Sequence, residues 1–202
     1  MAKSKKNKNG AGKKSAKALD SSAGENGAVS EKTAAAETSA AETPALPHLF
    51  QPLTLRGLTF RNRIWLPPMD TYSAFAHDGK PTSFHYQHYV SRALGGFGAI
   101  ITEATAVSPE GRISPCDLGL WNDDQIGAWS WIAEGIHQAG AVPAIQLNHA
   151  GRKGSSGCFS LGHINASVPG DEGGWQTVGV TDTPYNKNFA PSRGLTTEEI
   201  HQ

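Results

Sequence analysis

The chain has 202 residues, 38% of them apolar, and its 18 basic residues balance its 18 acidic ones. That length accommodates one domain with a sizeable core. It holds no run near the roughly 20 apolar residues of a membrane-spanning helix, and two cysteines, Cys116 and Cys158, make neither a disulfide framework nor a metal set.

Residues 1–45 contain almost nothing large and apolar. Such a segment cannot bury enough surface to offset its ordering entropy, so it reads as a disordered tail. Zero net charge conceals a basic start: Lys3, Lys5, Lys6, Lys8, Lys13, Lys14 and Lys17 precede any acidic residue. The run reads either as a solvated tail or as a tether to acidic partners, with nucleic acid the less favoured partner. Without an apolar signal segment or an arginine-rich amphipathic helix, the default is a reduced, cytoplasmic protein with no membrane partner.

Residues 46–202 form the folded part. Leu53–Leu55 and Leu58–Phe60 alternate around Arg56-Gly57 and predict a short hairpin. Ile64-Trp65-Leu66 is a first buried strand, ended by Pro67-Pro68. Ser83 to Leu94 predicts a helix with Tyr86, Tyr89, Val90, Ala93 and Leu94 as its apolar stripe. Gly95-Gly96-Phe97-Gly98 ends it; with a helix before and a strand after, these glycines are a helix C-cap rather than a nucleotide-binding loop.

Ala99 to Val107 is a second strand, β-branched and apolar as buried parallel strands are. Asn122 or Asp123 caps a helix running to about Ala139, Gly140 stops it, and Val142 to Leu147 is the third strand. The order β-α-β-α-β, with strands about 35 to 40 residues apart, predicts parallel βαβ units in a barrel or a doubly wound sheet. Residues 148–194 read as a long loop, and Thr196 to Glu199 is a capping box opening another helix.

Adjacent parallel strands bring their C-terminal ends to one face, where α/β proteins bind ligands. Pro68-Met69-Asp70, Glu103-Ala104 and Gln146-Leu147-Asn148-His149 occupy those ends. Gln146 offers both a donor and an acceptor, as a heterocyclic imide edge requires. Ala104 leaves room for a planar ligand, and Tyr72 can stack on a ring or donate a proton. A mixed polar rim, with Gln146 in a structural hydrogen bond, explains the same residues. His85 and His88 sit three apart but lack further ligands, so they read as histidines on a solvated helix face and no metal is expected.

At these residues the chain resembles the old yellow enzyme family of FMN-dependent ene-reductases, in its bacterial or thermophilic-like branch. The matching segments are Leu49-Phe50-Gln51-Pro52, Arg61-Asn62-Arg63-Ile64, Pro67-Pro68-Met69, Phe84-His85 through His88-Tyr89, and Glu103 to Val107. They continue through Gly111-Arg112-Ile113, Leu118-Gly119-Leu120-Trp121 and Gln146 to Lys153. The resemblance implies a (β/α)8 TIM barrel with FMN at the C-terminal face and NAD(P)H as reductant. Hydride passes through the flavin to an α,β-unsaturated carbonyl substrate. It also implies cofactor-binding roles for Pro68, Met69, Asp70, Ala104 and Gln146, with Tyr72 catalytic near the substrate. The full-length form admits a homo-oligomer.

Two departures qualify it. Asp70 stands where the family usually has Cys or Thr beside the flavin. An ionised carboxylate there would oppose charge on reduced flavin and lower its potential, unless burial keeps Asp70 protonated. The strand carrying the family's substrate-binding His-x-x-His or His-x-x-Asn pair also lies beyond Gln202, so the chain is expected to be a barrel truncated after about three strands, with an open sheet edge. The alternative is a non-catalytic fragment, or an interaction protein with a basic tail.

Overall fold

The computed structural model describes residues 45–201; the basic run expected to be a disordered tail lies outside them. A hairpin opens the domain. β1 (Leu53–Leu55) pairs antiparallel with β2 (Leu58–Phe60), Leu53 opposite Phe60. The chain then enters a parallel sheet of β3 (Trp65–Leu66), β4 (Ala99–Ala106), β5 (Leu118–Gly119) and β6 (Val142–Asn148). β4 is central. Its first residues pair with β3 and its last two with β5, while β6 runs along it from Ala99 to Ala106.

Two helices cover the sheet. α1 (Ser83–Leu94) begins where the periodicity places it, because His85 Nδ1 accepts the Thr82 backbone N–H at 3.0 Å. A histidine thus takes the part that Glu or Gln plays in a capping box. Before α2 (Ile126–Gln138), Asn122 accepts the Asp124 N–H at 3.0 Å and Gln125 Oε1 accepts the Trp121 N–H at 2.7 Å. Gly140, at φ +81°, turns the chain out of α2 toward β6.

The core lies between these helices and β4. Tyr89 and Ala93 from α1 meet Ile132 and Ile136 from α2 over Ile100 and Leu66. Gly135 sets the helix separation: a Cβ there would stand 2.5 Å from the Tyr86 ring. That ring stacks on Trp131 at 4.4 Å. Burying side chains of this size stabilises by about 1.5–3 kcal/mol each before entropy is counted. Leu94, assigned to the apolar stripe from its spacing, is instead 71% exposed. It is the last residue of α1, while Ala93 beside it faces the core.

At the opposite end of the sheet from the strand C-termini, Arg61 ties the layers together. Its guanidinium donates to Phe97 O at 2.8 Å, to Ala139 O at 3.2 Å and to Ala93 O. One cation thus neutralises the carbonyl ends of both helices. Asn62 adds hydrogen bonds to Gly96 O (2.7 Å) and from the Ile64 N–H (3.0 Å).

Beyond β6 the chain forms the expected long excursion, held by short turns and one two-residue ladder between β7 (Val178–Gly179) and β8 (Arg193–Gly194). α3 (Thr197–Ile200) starts on the Thr196–Glu199 capping box. The outer side of β6 is open: Ile145 is 37% and Leu147 59% exposed. The cysteine expectation is corrected. Cys116 and Cys158 are joined in a disulfide with Cα atoms 6.5 Å apart. Residues 42 positions apart give no sequence sign that their loops meet. No helix among the described residues is long and apolar enough to cross a membrane.

Candidate functional site

The C-terminal ends of β3, β4 and β6 meet on one face. After Leu66 the chain leaves the sheet at Pro67-Pro68 and passes over the end of β4. Met69 is 54% exposed there, and Pro68, Asp70 and Tyr72 are part-buried. β5 takes the place beside β4 that β3 vacates. Tyr72 sits at φ +52°, a left-handed backbone rare for an aromatic residue. Its ring meets Phe159 edge-on at 6.1 Å.

β4 and β6 do not run in simple register. Thr102 pairs with Ile145 and Ala104 with Gln146, leaving Glu103 as the extra residue of a bulge. Bulges re-aim side chains next to binding sites and are rare in parallel pairs. Here it places Ala104 and Gln146 as direct partners on one face. Ala104 is 8% exposed. The Gln146 amide is exposed and forms no hydrogen bond among the described residues. Two residues on, the partly buried Asn148 leaves its Nδ2 donor unpaired. The rim alternative, with Gln146 in a structural hydrogen bond, is therefore not what the geometry shows.

Glu103 is completely enclosed and multiply held. Its carboxylate accepts the Thr71 N–H at 2.5 Å and the Thr71 hydroxyl at 3.0 Å. His85 Nε2 lies 3.0 Å from Oε1, in contact but off the line of a good hydrogen bond. This corrects the reading of His85 as a solvated-face histidine. It is 0% exposed, and its Nδ1 accepts from Thr82, which fixes the proton on Nε2 toward Glu103. Position 103 was visible at a strand end, but the partners that give it a job come from positions 71, 85 and 89.

Asp70 is the centre of the local electrostatics. Its Oδ1 accepts the Tyr72 N–H at 3.0 Å, while Oδ2 is buried without a donor. The Asp117 carboxyl group lies near enough to act on it electrostatically. Burial, then the charge of Asp117, pushes the Asp70 carboxyl up to about 8. Asp117 rises to about 6, also chiefly through burial, opposed by hydrogen bonds from Ser114 and Ile113 and by the Arg112 charge. The buried carboxyl pair therefore retains a proton at neutral pH. Burial also raises the Tyr72 hydroxyl, with the Asp70 charge second.

Asp117 and Arg112 were not singled out from the sequence. Arg112 lies between two indoles, 5.5 Å from the Trp121 centroid and 5.1 Å from that of Trp175. It donates to Pro109 O, His77 O and Pro115 O at 2.8, 3.0 and 3.1 Å. Trp121 lies so close to Gly119 that a Cβ would stand 1.7 Å from the ring. His149 packs over Gly111, and its Nδ1 accepts the Gly151 N–H at 3.0 Å, so it shapes the turn after β6. Among the described residues no three His, Cys, Asp or Glu are grouped to hold a metal.

The strand-end face thus offers an amide with donor and acceptor free, a one-carbon side chain opposite it, an unpaired amide donor and a neutral carboxyl group. These fit the imide edge and flat ring of a flavin such as FMN: Gln146 answers the donor–acceptor edge, and Ala104 permits close approach.

Comparison with known proteins shows the family. The family model of the NADH:flavin oxidoreductase / NADH oxidase family matches residues 48–202. An NADPH dehydrogenase of Bacillus pumilus (strain SAFR-032) is 50% identical over 124 residues, 61% of this chain and 36% of that protein. One from Listeria monocytogenes serotype 4a (strain HCC23) is 43% identical over 154 residues, 76% of this chain and 40% of its own length. Among solved structures, morphinone reductase is similar at TM-score 0.63 and 28% identity, over 77% of this chain and 41% of its own. The old yellow enzyme homologue from Zymomonas mobilis is similar at 0.61 and 32%, with the same coverage. The chain spans about two fifths of the length of these relatives.

Proposed function

This chain belongs to the NADH:flavin oxidoreductase / NADH oxidase family, and on that premise we propose that it forms part of the flavin-facing wall of an FMN-dependent NAD(P)H oxidoreductase of ene-reductase type. The observation that carries the reading is the Ala104–Gln146 pair, which the bulge at Glu103 brings into register beside the Pro68–Tyr72 segment. The fold is that of its relatives' (β/α)8 barrel, present here as its first strands and helices. The activity is that of proteins of which this chain spans about two fifths.

FMN, when bound, would supply hydride transfer from NAD(P)H to the activated C=C of an α,β-unsaturated carbonyl compound. Gln146 would hold the imide edge through its amide donor and acceptor. Ala104 would leave room for the ring, and Pro68 and Met69 would contact it. Asp70, kept neutral by burial, would not oppose negative charge on the ring. Tyr72, whose ring packs edge-on against Phe159, would line the substrate side of the site. One relative's solved structure is titled as morphinone reductase in complex with tetrahydroNAD, consistent with nicotinamide as the reductant.

The test is direct. Purified in the presence of FMN, the chain is expected to retain yellow colour and to bleach anaerobically with NADPH, colour returning on addition of a cyclic enone. Retained FMN that NADPH does not bleach would overturn the activity while leaving the cofactor reading intact. The exposed outer side of β6, with Leu147 59% exposed, favours a second reading as a non-catalytic interaction fragment. Colourless, self-associating material would support that one.

A further inference from the structure

The tip of the long excursion, residues 157–166, is stitched mainly to itself. The Gly157 N–H is shared between His163 O and Ala166 O, and Leu161 N–H donates to Cys158 O. Its flanks are tied to each other by Val168 N–H donating to Ser155 O at 2.7 Å, and to the body by Ser156 N–H donating to Ile113 O at 2.8 Å. Among the described residues, the only polar or covalent links from the tip to the β4–β5 body run through Cys116. These are the Cys116–Cys158 bond and a contact from Ser160 Oγ to Cys116 Sγ at 3.5 Å.

Both half-cystines are buried, Cys158 at 2% exposure, but they differ in setting. Cys116 is 0% exposed on a fixed turn, its carbonyl accepting the Ala74 N–H at 2.9 Å and its N–H donating to Ser114 Oγ at 3.1 Å. Cys158 belongs to the tip and lines a cavity of about 240 Å³ that Tyr72, Lys153, Phe159 and Phe189 also line. His77 Nε2 lies 3.8 Å from Cys116 Sγ, and Ser160 Oγ lies 3.2 Å from Cys158 Sγ. An imidazole and a hydroxyl beside the sulfurs are the groups that stabilise a departing thiolate. The Cα separation of 6.5 Å lies within the ordinary range for a bridge, so forming it requires no rebuilding of the body.

We propose that Cys116 and Cys158 form a reversible redox tether that fixes the tip 157–166, and with it Phe159 against Tyr72, as the wall of this cavity. An external dithiol opens it. One thiolate attacks Cys158 Sγ, and the S–S electron pair leaves on Cys116 Sγ beside His77. The second thiolate then displaces Cys158 Sγ, so the protein gains two electrons and two protons while the dithiol closes to its own disulfide. A low-molecular-weight disulfide runs the exchange backwards. The opened tip keeps its internal hydrogen bonds and the His163–Glu172 contact at 2.8 Å but loses its link to the β4–β5 body, releasing Phe159 from the Tyr72 ring. This proposal stands on the loop geometry and is independent of the flavin reading.

The test compares two redox states of the full chain, one equilibrated with oxidised glutathione and the other with dithiothreitol, by alkylation mapping and hydrogen-exchange mass spectrometry. The oxidised sample should yield a Cys116–Cys158 cross-linked peptide, and the reduced sample two alkylated cysteines. Exchange over 157–166 should be at least about tenfold faster when reduced, with α1 and β4 changing less than about twofold. Cys158→Ser should show the reduced profile in both conditions; because each state is also read in the unmutated chain, a poorly folding variant does not weaken the comparison. Absence of the cross-link after oxidation, or equal exchange of 157–166 in both states, would overturn it.

Discussion

The Tyr89 hydroxyl accepts the backbone N–H of Glu103 at 3.0 Å. This bond lets the sheet carry a bulge where its ladder would otherwise leave a buried donor unsatisfied. Tyr89 belongs to α1 and Glu103 to β4, so a helix covering the sheet supports the register that presents Ala104 beside Gln146. Burial and the Glu103 charge push the Tyr89 hydroxyl far above its ordinary range, so it stays protonated at any working pH.

Tyr89→Phe keeps the ring and removes the acceptor. A buried N–H left without a partner costs about 1–3 kcal/mol. Urea unfolding of the variant should show a lower midpoint with unchanged slope. A loss below about 0.5 kcal/mol would mean that the bulge finds another partner.

Asp70 sets a pH dependence of stability. Its carboxyl titrates near 8 in the folded chain and near 3.8 when unfolded. Between those values the unfolded state releases a proton that the native state keeps, so stability falls as pH rises from about 4 to about 8. Asp117, raised to about 6, adds to the fall in the lower part of that window. Asp70→Asn should flatten the slope and stabilise the chain at pH 8 by about 1–3 kcal/mol, the order of cost of a poorly compensated buried polar group. Thermal melts at pH 5 and pH 8 would show it, and an unchanged slope would remove Asp70 from the account.

The same proton bears on the flavin. An ionised Asp70 would lower the reduction potential, but the raised titration point keeps it neutral at pH 7. In the FMN-loaded protein, Asp70→Cys should raise the potential appreciably only above about pH 8, where the native carboxyl ionises. A potential that is unchanged or lower at pH 9 would contradict a carboxyl group near the ring.

Arg112 is held as a plane between Trp121 and Trp175. Arg112→Lys keeps the charge but loses the stacking and at least one carbonyl hydrogen bond, and should cost about 1–3 kcal/mol. Chemical denaturation measures it; a neutral outcome would show that charge alone matters there.

Much of this architecture was legible in the chain. The hairpin, three parallel strands, both long helices and the Thr196–Glu199 capping box follow from periodicity and terminus chemistry, which act over a few residues. The strand-end residues Pro68, Ala104 and Gln146 were readable because parallel strands must end on one face. The Glu103 bulge was not, since it depends on Tyr89 in another element. His85 misled for the same reason: spacing put it on a helix face, but only the fold decides that Glu103 lies opposite. The Cys116–Cys158 contact and the Asp70–Asp117 pair join residues more than 40 positions apart, beyond the reach of local pattern.

The claim that the Ala104–Gln146 pair forms the flavin wall is tested most directly by titrating FMN fluorescence quenching against the wild-type chain, Gln146→Leu and Ala104→Leu. Far-UV circular dichroism serves as the folding control. With the fold intact, each substitution should weaken binding about tenfold or more, about 1.4 kcal/mol. Gln146→Leu removes the paired hydrogen bonds, and Ala104→Leu fills the approach to the backbone. Equal affinity for all three proteins, or no quenching by the wild-type chain, would contradict it.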